Sequence, residues 1–171
     1  MSFKKIFDLK RPYQVFFILL EIKFIRMALS NEECMRAALA EARKAFDKQE
    51  VPVGAIVVCK DIIIARAHNL TETLKDPTAH AEMQAITAAT NWLGGKYLTD
   101  CTIYVTLEPC AMCAGAIGWS QAGSLVFGAT DEKKGYRTIS DSLLHPKTNV
   151  ESGVLEKESS ELLLKFFKER R

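Results

Sequence analysis

"CTIYVTLEPCAMCAGAIGWSQAGSLVFGAT", residues 101–130, sets a strand, a helix and another strand in one uninterrupted run. "CTIYVTL" (101–107) is rich in β-branched and apolar residues, the composition of a strand buried on both faces. Pro109 then opens a helix that reaches about Gln121, because proline suits the first helical turn. "SLVFGAT" (124–130) reads as the next strand. Strand and helix in alternation are the pattern of an α/β layered domain.

The pattern extends in both directions. "VPVGAIVVCK" (51–60) reads as a buried strand and "IIIARAHN" (62–69) as its hairpin partner. Upstream, Met35, Ala38, Leu39, Ala42, Ala45 and Phe46 recur as one face of a helix over 31–48. Ser30 or Asn31 can cap it, with Glu32 and Glu33 favourable in its first turn. "LTETLKDPT" (70–78) reads as a polar loop whose Asp-Pro announces a second helix, 79–92, stopped by Gly94-Gly95. A loop from 131 to about 148 follows the fourth strand. Val150 and Val154 suggest a short fifth strand, and "LEKESSELLLKFFKERR" (155–171) closes the chain as a helix. The expectation is a three-layer α/β/α domain over 27–171: a mixed five-stranded sheet with helices on both faces.

Composition narrows the function classes. At 171 residues the chain suits one domain with a substantial core. The net charge of +2 does not by itself call for a nucleic-acid partner. Five cysteines, an odd number without the spacing of a disulfide framework, argue for a reducing, cytoplasmic setting. There a Cys-x-x-Cys is a metal or redox pair. Residues 1–26 differ from the rest: "VFFILL" (15–20) is apolar, but Glu21 and Lys23 interrupt it before it could span a bilayer. An amphipathic appendage, a membrane-surface anchor and sequence upstream of a start at Met27 are all compatible with it. No membrane partner is expected.

The chemistry-bearing residues sit at two helix starts. Cys110 and Cys113, three apart at the beginning of a helix, share a face, and the unpaired N–H groups there favour thiolate. Two thiolates and one imidazole leave a zinc ion one open position, the mark of a catalytic rather than a structural site. His80 supplies that imidazole from the equivalent place on the neighbouring helix, provided both helices start at the same end of the sheet. Residues two apart on a helix point roughly 200° away from one another. His80 and Glu82 therefore share a site only if His80 lies at the loop–helix junction. Glu82 is then an acid/base beside the metal rather than a ligand. The blander alternatives are a solvated first-turn Glu82 and two core cysteines. They account for each residue singly but not for the joint order and placement. His68 and His145 are weaker rivals for the third ligand, at a strand end and before a proline. Cys34, Cys59 and Cys101, with Trp92 and Trp119, read as packing residues.

His-x-Glu followed by Pro-Cys-x-x-Cys is the signature of the zinc-dependent base deaminases. The likeness goes further: "EVPVGAIVV", "HN" (68–69), "DPTAHAE", "YVTLEPCAMCAGA", "LVFGATD", "LLHP" and "KFFKERR" resemble the bacterial tRNA adenosine deaminases. These belong to the cytidine/deoxycytidylate deaminase superfamily, and the resemblance covers about 31–171. It implies a cytidine-deaminase-like fold, one zinc ion per chain on His80, Cys110 and Cys113, Glu82 as proton shuttle, and a homodimer. The implied reaction converts the wobble adenosine of a tRNA anticodon to inosine. The resemblance also implies substrate contacts. Asn69 would meet base or ribose, the backbone near Ala81 and Cys110 would hold the base, and Asp131 would lie beside the RNA. Phe166, Phe167, Lys168, Arg170 and Arg171 would stack on bases and meet phosphates. Lys133, Lys134 and Arg137 could add phosphate contacts. "EKKGYRTISDS" (132–142) and "AIGWSQ" (116–121) depart from the family's pattern.

Two other classes use parts of the same signature. A deaminase of a free base or nucleoside, of guanine or cytosine type, would share the zinc chemistry, but the "TLEPCAMCAGA" context and the aromatic-basic terminus favour the tRNA enzyme. A non-catalytic zinc-binding subunit would be expected to lack Glu82. A redox Cys-x-x-Cys protein would leave His80 and Glu82 unexplained.

Overall fold

The computed structural model describes residues 29–170; the expectations for 1–26, Met27 and Arg171 lie outside the described residues. Helix α1 (Asn31–Asp47) starts at Ser30, whose hydroxyl accepts from Glu33 N–H while the Glu33 carboxylate accepts from Ser30 N–H. This reciprocal pair satisfies two of the donors a helix start leaves open. Strands β1 (Gly54–Cys59) and β2 (Ile62–His68) form an antiparallel hairpin. Its two-residue turn, Lys60-Asp61, has positive φ at both positions (50° and 60°), matching the twist of the flanking strands. A short helix α2 (Thr71–Leu74) occupies part of the stretch read as loop. Then come α3 (Ala81–Leu93), β3 (Cys101–Leu107), α4 (Ala111–Trp119), β4 (Ser124–Ala129), two 3-10 turns (Tyr136–Thr138 and Asp141–Leu143), β5 (Asn149–Ser152) and α5 (Glu156–Lys168).

The sheet order is β2-β1-β3-β4-β5. β1 runs antiparallel to both β2 and β3, while β3, β4 and β5 are mutually parallel. The mixed five-stranded sheet is therefore present. Period-two alternation divides its faces. Ala55, Val57, Ile103, Val105, Leu125 and Phe127 point to one side, where they pack with Ala81, Ala85 and Ala89 of α3 and Ala114 and Ile117 of α4. Ile56, Val58, Tyr104 and Val126 point to the other, against Cys34, Met35 and Ala38 of α1 and against Leu155 before α5. The result is three layers, α/β/α. The alanines of α3 let its backbone lie close to the sheet, so its N-terminus is held where the strands end.

Several details go beyond the sequence reading or differ from it. β2 and β3 are not neighbours, because β1 lies between them. Two antiparallel steps still make them parallel to one another, so α3 and α4 start at the same end of the sheet. β5 stops at Ser152, and Val154 packs into the α1 side instead of continuing the strand. α4 starts at Ala111, one residue after Cys110, so Pro109 precedes the helix rather than opening it.

Candidate active site

His80 and Cys110 are the N-cap residues of α3 and α4, with extended backbone (φ −67°, ψ 156° and φ −70°, ψ 170°). Local chemistry sets each. Ahead of His80, the Asp76 carboxylate accepts from Thr78 N–H (2.8 Å) and Thr78 Oγ (2.7 Å), turning the chain. Leu70 N–H then bonds Ala79 C=O at 3.0 Å, which pins the segment beside the end of β2. Around Cys110, Tyr136 N–H donates to Pro109 C=O at 2.9 Å, and Cys110 forms a β-bridge to Gly135. Neither N-cap side chain caps its own helix.

Both side chains are thereby free to converge with Cys113. His80 Nδ1 lies 3.7 Å from Cys110 Sγ and 3.5 Å from Cys113 Sγ, and the three ligand atoms fall within 4.8 Å of one another. In a tetrahedral zinc site the usual bond lengths give a nitrogen–sulfur edge of about 3.6 Å, so the donor set fits that ion by type and spacing. The Cys110 thiol is pushed down to about 4, first by the hydrogen bond from Cys113 and then by His80, against the cost of burial. The same Cys113–Cys110 bond, with burial, pushes the Cys113 thiol up. His80 is raised above its ordinary range by the Cys110 sulfur. A cluster that holds negative charge on sulfur suits a cation.

Glu82, one residue into α3, is buried. Burial pushes its carboxyl above the ordinary carboxylate range, outweighing its own backbone N–H and the neighbouring His80. A carboxyl moved upward binds its proton more tightly than an exposed one, which suits a group that exchanges protons with a reactant. His80, Glu82 and Cys110 open into a cavity of about 290 Å³ also lined by Asn69, Thr71, Glu108, Asp131, Lys134 and Phe167.

A model of the MafB19-like deaminase family matches residues 29–171. The tRNA-specific adenosine deaminase of Aquifex aeolicus is 47% identical over 148 residues, which cover 84% of this chain and 97% of that protein. That of Bacillus subtilis is 46% identical over 146 residues, covering 82% and 91%. The chain belongs to the tRNA-specific adenosine deaminases. A solved structure from a study of A-to-I editing by tRNA:A34 deaminases superposes with a TM-score of 0.71 at 42% identity, over 76% of this chain and 98% of that one. The guanine deaminase of Bacillus subtilis is more distant: TM-score 0.57 and 36% identity over 60% of this chain.

In this deaminase the remaining expected residues divide into two groups. Asn69 and Asp131 line the cavity, as does Phe167, which is half exposed. The Asp131 side chain is committed to its own turn, with Oδ1 accepting from Lys133 and Lys134 N–H at 3.0 Å each. Ala81, Phe166 and Arg170 do not line the cavity. Ala81 is buried in the core on the α3 side. Phe166 is buried edge-on against Phe46, with ring centroids 5.8 Å apart. The Arg170 guanidinium lies over the Phe166 ring and donates to Gln49 C=O, which ties the end of α5 to the turn before β1. Of these side chains only Phe166 is both aromatic and buried in packing, while Arg170 stays exposed. Among the rival histidines, His68 lies between Glu41 and Lys48 (3.5 and 3.2 Å), and His145 Nδ1 accepts from Lys147 N–H. Trp92 and Trp119 are exposed, not packed, each in the last turn of its helix.

Two acids escaped the sequence reading. Glu108, buried, accepts from Asp131 N–H (3.1 Å) and Arg137 N–H (3.2 Å), fixing the loop that forms one cavity wall. Glu50, fully buried, accepts from the Asn69 amide at 3.2 Å. The available signal was position: each is an acid at the edge of an apolar strand, "EVPVGAIVV" and "YVTLEP", where an unpartnered charge would be costly.

Proposed function

We propose that this chain deaminates adenosine to inosine at the wobble position of a tRNA anticodon. The observation that carries the chemistry is a His/Cys/Cys cluster whose His80 and Cys110 line one cavity together with a buried carboxyl, Glu82, two residues after His80. The substrate follows from the relatives named for tRNA, which match nearly their whole length. His80, Cys110 and Cys113 would hold zinc, whose Lewis acidity makes water nucleophilic at neutral pH. Glu82 takes a proton from the attacking water as its oxygen bonds to C6 of the purine. It then returns a proton to the amino group, the C6–N bond breaks and ammonia leaves. Asn69 orients the nucleoside, and Phe167 offers a ring at the mouth on which a splayed base can stack. An anticodon loop is already single-stranded, so bringing one base into the cavity costs less than extracting it from a duplex.

A homodimer belongs to the same reading. Trp119, 86% exposed at the end of α4, together with Met112, gives that helix an outer apolar face suited to a second copy. Light scattering on the purified protein measures this directly.

The deciding experiment is a parallel assay of zinc-loaded protein. One arm holds an arginine tRNA with adenosine at the wobble position, and others hold free adenosine, guanine, cytosine and cytidine. Inosine in the tRNA alone is the expected result. Turnover of a free base with the tRNA untouched would replace the substrate while keeping the chemistry.

A further inference from the structure

Glu50 precedes β1, carries no exposed surface, and sends its carboxylate into the segment that follows β2. Oε1 accepts from Thr73 N–H at 2.7 Å. Oε2 accepts from Glu72 N–H (3.1 Å), from Asn69 Nδ2 (3.2 Å) and from the Thr71 hydroxyl (3.3 Å). All four donors are neutral. Burial raises the carboxyl, but the N–H bonds from Thr73 and Glu72 and the Thr73 and Thr71 side chains outweigh it, holding the group below its ordinary 4.5. The group is therefore a carboxylate, and a carboxylate only accepts.

That restriction propagates. The atom of Asn69 that faces Glu50 must be its NH₂. The second hydrogen of that NH₂ goes to Thr71 Oγ at 3.0 Å, while the single Thr71 hydroxyl hydrogen goes to Glu50. Every donor in the triangle is used, and Oδ1 of Asn69 is the one amide atom left without a protein partner among the described residues. Asn69 is 5% exposed, and it lines the cavity.

We propose that Glu50 is a positioning residue for the deamination. It locks the Asn69 carboxamide in one of its two flips, so that the bound nucleoside meets an acceptor, Oδ1, and must bring a hydroxyl or N–H to that point. This rests on the adenosine deaminase reading. Without an acceptor-only partner at 50, the opposite flip of Asn69 is no longer excluded, and the nucleoside can meet a donor where it needs an acceptor. A glutamine at 50 creates this ambiguity with little change of shape.

The test is a double-mutant cycle on an anticodon stem-loop RNA, using zinc-loaded Glu50→Gln, Asn69→Ala and the double variant, with zinc content and melting temperature measured for each. Each single substitution is expected to lower kcat/KM by about tenfold to a hundredfold, as for loss of one positioning hydrogen bond. The double variant should be no worse than Asn69→Ala alone, because Glu50 acts through Asn69. Losses that multiply, or wild-type kinetics in Glu50→Gln, would overturn the proposal and leave Glu50 a purely structural acid. Should Glu50→Gln fail to fold, Thr71→Val removes only the hydroxyl that links carboxylate to amide, and the same non-additivity with Asn69→Ala decides. A wild-type protein inactive on the stem-loop but active on a free base would sink the substrate reading instead, and the same cycle run on that base would then test Glu50.

Discussion

His80 and Cys110 hold the same position in two different helices: each is an extended N-cap residue whose side chain leaves its own helix uncapped. The two helices start at one end of the sheet because β2 and β3 flank β1 and both run antiparallel to it. Equivalent local geometry thus delivers two ligands to one point. It also separates metal binding from helix capping, which one atom exchange tests. In Cys110→Ser, the hydroxyl should cap α4, worth about 1 kcal/mol, while zinc retention after dialysis falls well below one ion per chain. The metal-free variant should melt no lower than metal-free wild type. A variant that keeps stoichiometric zinc would remove Cys110 from the ligand set.

On the proposed reading, Glu82 moves protons without holding metal. Glu82→Gln keeps the shape of the side chain and removes its titration, so turnover on tRNA should fall by about 10²–10⁴-fold. Zinc measured by plasma emission should stay equal to wild type. Loss of zinc together with turnover would make Glu82 part of the metal site and not its proton carrier.

The layers and the residues of the His/Cys/Cys cluster were legible in the sequence, because both rest on local patterns. Short, β-branched apolar runs in "GAIVVC" and "CTIYVTL" specify strands buried on both faces, and Cys110-x-x-Cys113 behind Pro109 specifies a helix start. What stayed hidden depends on where the chain goes after it leaves an element. Nothing local shows that β1 inserts between β2 and β3. The hairpin register, with Gly54 opposite His68, brings Glu50 to Asn69, 19 residues on, but the strand pattern alone does not say that the acid turns inward to meet it. Phe166 and Phe167 are identical in chemistry and adjacent in sequence. Only the placement of α5 against Phe46 decides which of them is core. Glu108 anchors the 131–137 wall, and it went unread because its partners lie 23 and 29 residues away.

The Glu50 carboxylate predicts a pH dependence of stability. Its folded-state value lies below the ordinary 4.5, so folding favours the ionised form. The resulting stabilisation is fully present above 4.5 and is lost as pH falls through the lower folded-state value. The stability gap between wild type and Glu50→Gln, from urea unfolding of the zinc-loaded proteins, should therefore be constant from pH 6 to 7 and shrink below about 4.5. A gap that widens on acidification would mean that the carboxyl is protonated in the folded protein, and the acceptor-only argument for Asn69 would go with it.

The adjacent phenylalanines of α5 should separate stability from RNA binding. Phe166 is 3% exposed, wedged between Phe46 and the Arg170 guanidinium. Phe166→Ala leaves a ring-sized cavity, worth about 3–5 kcal/mol, and should lower the melting temperature by roughly 10 °C for a chain of this size. Phe167 is 50% exposed and lines the cavity mouth, so Phe167→Ala should change stability by less than about 0.5 kcal/mol. A base stacked on that ring contributes about 1–3 kcal/mol, so the same substitution should weaken anticodon stem-loop binding by about tenfold or more. Calorimetric melting and fluorescence anisotropy with labelled RNA read the two effects independently. Unchanged RNA affinity in Phe167→Ala would show that the ring at the mouth is not a stacking platform, and α5 would then serve the site only through the packing of Phe166.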